Sequence, residues 1–123
     1  MGKLLGLDEA TGNFRSIRAV LHSYYAVSVF KDGAQVVADL AALKAPYRTG
    51  ELAESIKARG ELRKGNPSAL VTTNKVPYAS FVEFGDHRQA AEPYMRPAAD
   101  ESHDEVTAVI GEGMRALIEG AIT

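Results

Sequence analysis

The sequence predicts an α+β fold with N-terminal helices, a small, mainly antiparallel sheet and a long C-terminal helix. Three observations carry this prediction: helical periodicity through residues 14–43, short β-prone segments between residues 56 and 84, and a second helical stripe after Pro97. The order helix, helix, strands, helix is typical of α+β proteins, because the strands are grouped and do not alternate with helices.

The composition is that of an ordinary soluble globular protein. The 123 residues are 46% hydrophobic and 24% charged, with no cysteine and a formal net charge of -2. This length predicts one domain over residues 1–123. The absence of thiols excludes disulfides, thiolate metal sites and a cysteine nucleophile. No apolar run is long enough for a membrane span and no signal peptide is recognised, so we expect a soluble cytoplasmic product.

The sequence pattern of the N-terminal region predicts two helices or one interrupted helix. Asp32-Gly33 is the predicted interruption, because glycine weakens a helix interior and aspartate caps a new start. A strand over residues 25–30 is the competing interpretation, since that segment is β-branched and partly alternating. Pro46 ends the helical character near Lys44. The apolar residues that recur at helical intervals, and would form one buried stripe, are Phe14, Ile17, Val20, Leu21, Tyr24, Val27, Phe30, Ala34, Val37, Leu40 and Ala41.

The middle of the chain predicts a short helical turn followed by strands. Residues 51–59 begin as a helical turn and pass into a strand, and residues 68–73 form a second strand. Between them, residues 60–67 are predicted to be an exposed loop. Four cations in and beside this loop make it a candidate flexible basic segment: Lys57, Arg59, Arg63 and Lys64.

A third strand is predicted from Tyr78 to Phe84, because this segment is short, aromatic and β-prone. The connections are too short for crossover helices, which favours an antiparallel sheet. After Pro97 a long helix is predicted, with acidic residues near its positive end: Asp100, Glu101, Asp104 and Glu105. Gly111 and Gly113 each cost this helix about 1 kcal/mol, so they are predicted to permit close packing or to mark a bend.

The polar residues predict no catalytic centre and no cofactor. His22 is expected to be partly buried and hydrogen-bonded, and His103 to be a solvated helix residue. Glu83, Asp86 and His87 lie close in sequence, but we interpret them as the polar rim of a sheet. A metal-dependent hydrolase using Glu83 and His87, and a small nucleic-acid-binding protein using the basic loop, stay open as alternatives.

Two groups of residues give the chain a family resemblance. The first is Lys-Ala-Pro-Tyr-Arg-Thr-Gly-Glu-Leu at residues 44–52, followed by Ser-Ile-Lys at 55–57. The second comprises Tyr-Ala at 78–79, Val-Glu-Phe-Gly at 82–85 and Pro-Tyr-Met-Arg-Pro-Ala at 93–98. Their order and spacing resemble the tail-completion or neck proteins of long-tailed bacteriophages, minor tail components of the gene-product-ten type. Asp86 stands where that family commonly has threonine, and aspartate also forms turns.

The resemblance implies a non-enzymatic virion protein that forms a ring, expected to be a hexamer, at the tail–neck junction after assembly in the host cytoplasm. Its implied partners are other copies of itself, the tail tube protein and the head–tail connector or neck proteins. No membrane partner is implied, and DNA passes nearby at most, without sequence-specific binding. A head-side neck protein is the alternative. Because arginine and aromatic side chains serve interfaces well, the candidate contacts are Arg48, Tyr78, Phe81, Glu83, Phe84, Tyr94 and Arg96.

Overall fold

The computed structural model describes residues 7–46, 50–73 and 76–122. Its N-terminal helices, two-stranded antiparallel sheet and long C-terminal helix confirm the predicted α+β class. The elements in chain order are α1 Leu7–Leu21, α2 Tyr24–Lys44, α3 Glu51–Ser55, β1 Lys57–Arg63, β2 Asn66–Thr72, α4 Ala79–Phe84 and α5 Met95–Ile122.

The break between α1 and α2 lies at His22 and Ser23, so the prediction of an interruption at Asp32-Gly33 is wrong. Ser23 has an extended backbone, and its hydroxyl accepts a hydrogen bond from Tyr25 N at 3.2 Å, which caps α2. The competing strand over residues 25–30 is also wrong, because this segment is the start of α2. At its other end α2 stops at Lys44, before the extended residue that precedes Pro46, as predicted.

The long helices α2 and α5 pack against each other in opposite directions. Lys44, the last residue of α2, forms an ion pair of 2.7 Å with Glu101 near the start of α5. Near the other end of the pair, a Cβ atom added at Gly113 would lie 2.5 Å from Val29 Cγ1. The last residues of α2 therefore lie beside the beginning of α5, and the first turns of α2 lie beside the second half of α5.

Glycine keeps the α2–α5 contact close. The prediction of close packing is confirmed for Gly113, because Val29 fills the space that a side chain would need. Gly33 faces Ile110 in the same way, with 2.6 Å between an added Cβ and Ile110 Cγ1. This contact explains why Gly33 stays inside a helix that sequence alone would interrupt. Gly111 has open space around it and plays no such part.

Small side chains fill most of the interior. Its largest fully buried side chain is that of Tyr94, which is 2% exposed. Buried alanines make up half of the buried hydrophobic set: Ala26, Ala38, Ala41, Ala45, Ala79 and Ala98, with Val27, Val29, Leu52, Ile56, Val76 and Tyr94. Several larger apolar side chains stay exposed, among them Phe14, Tyr24, Tyr25, Leu43, Phe81 and Phe84. The predicted buried stripe is therefore wrong for Phe14 and Tyr24, because the break after α1 changes the direction in which each helix faces the core.

The two strands form a hairpin that lies on α2. Residue pairs across the hairpin include Gly60 with Ala69 and Arg63 with Asn66. The Gly60 backbone lies directly on α2, since an added Cβ would be 2.6 Å from Val27 Cγ1. At the tip, Lys64 and Gly65 both have positive φ, 53° and 80°, as a two-residue type I′ turn requires.

The predicted loop over residues 60–67 is therefore wrong, because most of it is strand and only the two-residue tip is turn. The inward positions of this hairpin are occupied by small or unusual strand residues such as Gly60 and Pro67, which weakens the sequence signal for a strand. The strand predicted over residues 68–73 is confirmed, although β2 begins two residues earlier.

The strand predicted from Tyr78 to Phe84 is also wrong, because residues 79–84 form helix α4. In so short a segment, aromatic and β-branched composition does not distinguish a strand from a buried helical turn. The helix turns Ala79 and Val82, three residues apart, toward the core. Its backbone is closed by hydrogen bonds from Val82 N to Tyr78 O at 3.1 Å and from Gly85 N to Phe81 O at 2.7 Å.

Candidate functional site

The segment from α4 to the start of α5 is held by Tyr94 at its base. The Tyr94 hydroxyl donates to the carbonyl oxygen of Ala79 at 3.3 Å. Burial raises the pKa of the Tyr94 phenol, the nearby Glu83 charge raises it further, and a hydrogen bond with the Thr73 side chain acts in the opposite direction. The phenol is therefore neutral at physiological pH and anchors α4 to the residue before α5.

Glu83 connects α4 to the first turn of α5. Its Oε1 atom accepts hydrogen bonds from Met95 N at 2.7 Å and Arg96 N at 3.4 Å. Backbone N–H groups at a helix start have no partner within the helix, and a carboxylate there also interacts favourably with the helix dipole. Glu83 is thus the cap of α5, which corrects our interpretation of this residue as the polar rim of a sheet.

The connection after α4 is an ordered turn built on Gly85 and Asp86. Gly85 has φ of 75°, and a Cβ atom there would lie 2.7 Å from Ala91 N. The Asp86 carboxylate accepts hydrogen bonds from Arg88 N at 2.8 Å and Gln89 N at 2.9 Å. Asp86 therefore forms a turn, as predicted for this residue, which stands where the phage family that the sequence resembles commonly has threonine. Farther along, Glu92 N donates to the Val82 carbonyl oxygen at 2.8 Å, which returns the chain to α4.

Two aromatic side chains project from this fixed segment into solvent. Phe81 is 51% exposed and Phe84 is 80% exposed, and together we call them the α4 patch. Phe84 borders an open groove of about 620 Å³ whose other walls include Val37, Met95 and Arg96. The groove combines apolar walls with one exposed arginine, so this region offers both contact area and a charged group to a partner.

The predicted contact residues divide into three groups. Phe84 and Arg96 are exposed along the same groove, Phe81 is exposed on the same helix as Phe84, and Glu83 acts within the chain. Tyr78 is half-buried, with its hydroxyl 3.5 Å from Glu51 Oε2. Tyr94 is a core residue and offers no surface to a partner, which corrects its place among the candidate contacts. Arg48 lies outside the described residues.

The four predicted cations of the basic segment are exposed on the hairpin. Lys57, Arg59 and Arg63 belong to β1, and Lys64 lies in the turn at the tip. Alternate strand residues share a face, so the three β1 cations project from the outer face of the hairpin, away from α2. They form part of an ordered ribbon and do not belong to a flexible loop.

Sequence reasoning missed a second exposed aromatic pair. Tyr24 is 74% exposed and Tyr25 is 72% exposed at the start of α2, and we call this pair the α2 patch. The sequence signal was Ser23, a typical helix-capping residue that stands directly before the two tyrosines. A cleft between α1 and the hairpin tip was also missed, since it joins residues far apart in sequence.

The histidines do not assemble a metal centre. Among residues 7–46, 50–73 and 76–122, no cluster of three or more His, Asp or Glu side chains is placed to hold a metal ion. His22 is exposed, whereas we expected it to be partly buried. The hydrogen bond expected for it is present, because its ring Nδ1–H donates to the Gly65 carbonyl oxygen at 3.0 Å. His87 and His103 are exposed. In the same three ranges, no helix has the length and apolar character to cross a membrane.

Comparison with known proteins identifies a family for this chain. The family model described as "Bacteriophage HK97-gp10, putative tail-component" matches residues 9–85, which is more than half of the chain. The matched region runs from α1 through α4 and ends at Gly85. Neither the curated proteins nor the solved structures gave a significant match.

Proposed function

Because the chain belongs to the HK97-gp10-like family of phage tail components, we propose that it is a structural virion protein that completes the head-proximal end of a tail. In this proposal residues 1–123 act as one domain, and several copies, six by the family resemblance, form a ring. The ring lies at the tail–neck junction, between the tail tube protein and the connector or neck proteins, after assembly in the host cytoplasm.

The observation that carries the ring proposal is the presence of two aromatic patches on different parts of the surface. The α4 patch lies beside Ala79, which clusters with Ala38 and Ala41 in the second half of α2. The α2 patch lies at the first residues of the same helix. At 1.5 Å of rise per residue, the two regions are about 20–25 Å apart along α2.

Two unlike patches are what a ring subunit needs. In a closed ring each subunit uses one surface toward one neighbour and a different surface toward the other, whereas a two-fold dimer uses a single surface twice. Large aromatic side chains supply much of the energy of such contacts. We therefore assign the α4 patch of one copy and the α2 patch of the next copy to the same subunit contact.

The fixed geometry around α4 favours this role. The Glu83 cap and the Asp86 turn hold Phe81 and Phe84 on an ordered backbone before any partner arrives. Less conformational entropy is lost on association when the contact residues are already ordered. Arg96, at the edge of the same patch, adds a directional cation for an acidic partner.

Light scattering with patch variants tests the ring. The wild-type chain should exceed monomer mass, alone or with tail tube protein, and Phe81→Ser/Phe84→Ser and Tyr24→Ser/Tyr25→Ser should each reduce that mass. Loss of a central aromatic contact costs at least about 2 kcal/mol, or about 30-fold in affinity. Leu43→Ser is the matched control, because Leu43 is 83% exposed but lies outside both patches.

Mixing the two patch variants distinguishes a ring contact from a two-fold contact. Each variant retains one intact patch, so a mixture should form a heterodimer through the two intact patches and should go no further. A strict monomer in the wild-type chain, with no association with tail tube or connector protein, would contradict the proposal. A wild-type mass that neither double variant lowers would contradict the assignment of the patches.

Particles assembled without this protein test its position. Unjoined or overlong tails beside filled heads are the expected result for a tail-completion protein. Leaking heads with normal tails would instead support the head-side neck alternative.

A further inference from the structure

A basic cleft lies where the end of α1 meets the tip of the hairpin. It encloses about 480 Å³ between Arg15, Arg18 and His22 on one side and Lys64 with its turn neighbours on the other. The hydrogen bond from the His22 ring to the Gly65 carbonyl joins the two walls at 3.0 Å. The positive-φ turn that carries Lys64 fixes the opposite wall. The cleft is therefore formed before any ligand arrives.

In the part of the chain that the structure describes, the side chains lining this cleft carry an excess of positive charge. Its lining holds Arg15, Arg18 and Lys64 together with a histidine, and it contains no carboxylate. Ion pairs in the described ranges use other residues, such as Lys44 with Glu101 and Arg115 with Glu119. Like charges held close together favour an anionic ligand, because such a ligand relieves their mutual repulsion.

We propose that this cleft binds phosphate groups of a nucleic-acid backbone. Arg15 and Arg18 are three residues apart on one helix, so their guanidinium groups are neighbours and each can contact phosphate oxygens in a bidentate manner. Arg59 and Arg63 are exposed on the outer face of the hairpin, but the Glu61 carboxylate lies between them on the same face, so the positive surface is concentrated in the cleft itself. The cleft presents three cations from two elements, Arg15 and Arg18 on α1 and Lys64 at the hairpin tip. Three separate cations match successive phosphates of a polyanion better than they match one acidic side chain.

Binding at this surface is local, weak and independent of base sequence. The chain as a whole carries a net charge of -2, so long-range attraction to DNA is small and the contact depends on these few cations. Phosphate contacts position a protein on nucleic acid without reading its sequence. The inference goes beyond the ring proposal and uses none of the residues in the two aromatic patches.

Fluorescence anisotropy with a labelled duplex of arbitrary sequence tests the cleft across a salt series. Three phosphate contacts predict a slope of about -2.7 for log affinity against log salt, or about 40-fold weaker binding between about 50 and 200 mM salt. Arg15→Ala/Arg18→Ala should reduce the slope to about one third of its wild-type value. Lys64→Asn removes the third cation and retains a residue that tolerates the positive φ of the turn.

Arg88→Ala/Arg115→Ala is the matched control, because it removes two exposed arginines outside the cleft and should leave the slope unchanged. Absence of wild-type binding at about 20 mM salt would overturn the proposal, since screening is weak there. An unchanged slope in Arg15→Ala/Arg18→Ala would also overturn it. If that variant keeps DNA binding and loses self-association, the cleft instead receives an acidic segment of another copy.

Discussion

Removal of the half-buried Glu83 carboxylate should destabilise the fold, because this group caps α5. The Glu83 Oε1 atom lies 2.7 Å from Met95 N and 3.4 Å from Arg96 N, so only the first contact is short. One hydrogen bond to a charged group contributes about 1.5–3 kcal/mol, and the interaction with the helix dipole about 0.3–1 kcal/mol. Glu83→Ala is therefore expected to lower the free energy of unfolding by about 2–4 kcal/mol.

Urea unfolding and thermal melting measure this loss. For a chain of this length, 1 kcal/mol corresponds to about 4 °C in melting temperature, so Glu83→Ala should melt about 8–16 °C below the wild type. Glu83→Gln keeps an acceptor oxygen and removes the charge, so it should lose about half as much. The expected order of stability is wild type, then Glu83→Gln, then Glu83→Ala. Both variants lose the same charge, so a difference between them depends on the cap and does not follow from net charge alone.

Glu92→Ala is the matched control for the charge. Glu92 is an exposed acid on the same connection, and the hydrogen bond it makes to Val82 uses its backbone N–H, which alanine retains. Its removal should change stability by no more than about 0.5 kcal/mol. If Glu83→Ala and Glu92→Ala have the same stability, the capping argument is wrong.

Two further predictions concern the helix contact and the buried phenol. Gly111→Ala should raise the free energy of unfolding by about 1 kcal/mol, because alanine favours the helix and the added Cβ meets open space. In Gly113→Ala the added Cβ clashes with Val29, which costs about 1–3 kcal/mol and cancels this gain. Equal free energies of unfolding for the two variants would refute the packing argument. Because burial raises the pKa of the Tyr94 phenol, the unfolded chain ionises first as pH rises. Stability from the neutral phenol is present below the unfolded value of 10.0 and is lost as pH rises through the folded pKa. Tyr94→Phe should therefore lose less stability than the wild type between about pH 8 and pH 11 in urea titrations, while Tyr25→Phe should follow the wild type. An equal loss in all three proteins would contradict this.

Sequence reasoning succeeded where periodicity was long. The C-terminal end of α2 follows from Pro46, and the existence of α5 follows from many helical repeats, so local errors did not change these two predictions. It failed in α4 and in residues 60–67 of the hairpin, because so few residues contain too few repeats to separate a helix, a strand and a loop. In these segments tertiary contacts decide the conformation, as when α4 brings Glu83 to the start of α5.

The candidate site was predicted in part for a similar reason. Aromatic and arginine residues are frequent in protein–protein contacts, and on this basis Phe81, Phe84 and Arg96 were predicted as candidate contact residues. The same signal cannot distinguish a surface aromatic from a core one, and Tyr94 is buried. The α2 patch and the basic cleft depend on the position of the break after α1, which the sequence placed about ten residues too late.

The alanine-rich interior has a thermodynamic consequence. Small side chains bury little apolar area each, and stabilisation by the hydrophobic effect is roughly proportional to that area. The larger apolar groups, including Phe84 and Tyr24, can leave water only when another molecule covers them. Folding and association should therefore be linked, so that the melting temperature rises with protein concentration and with added partner. A free subunit should therefore have a lower free energy of unfolding than a subunit whose exposed aromatic side chains are covered by a partner.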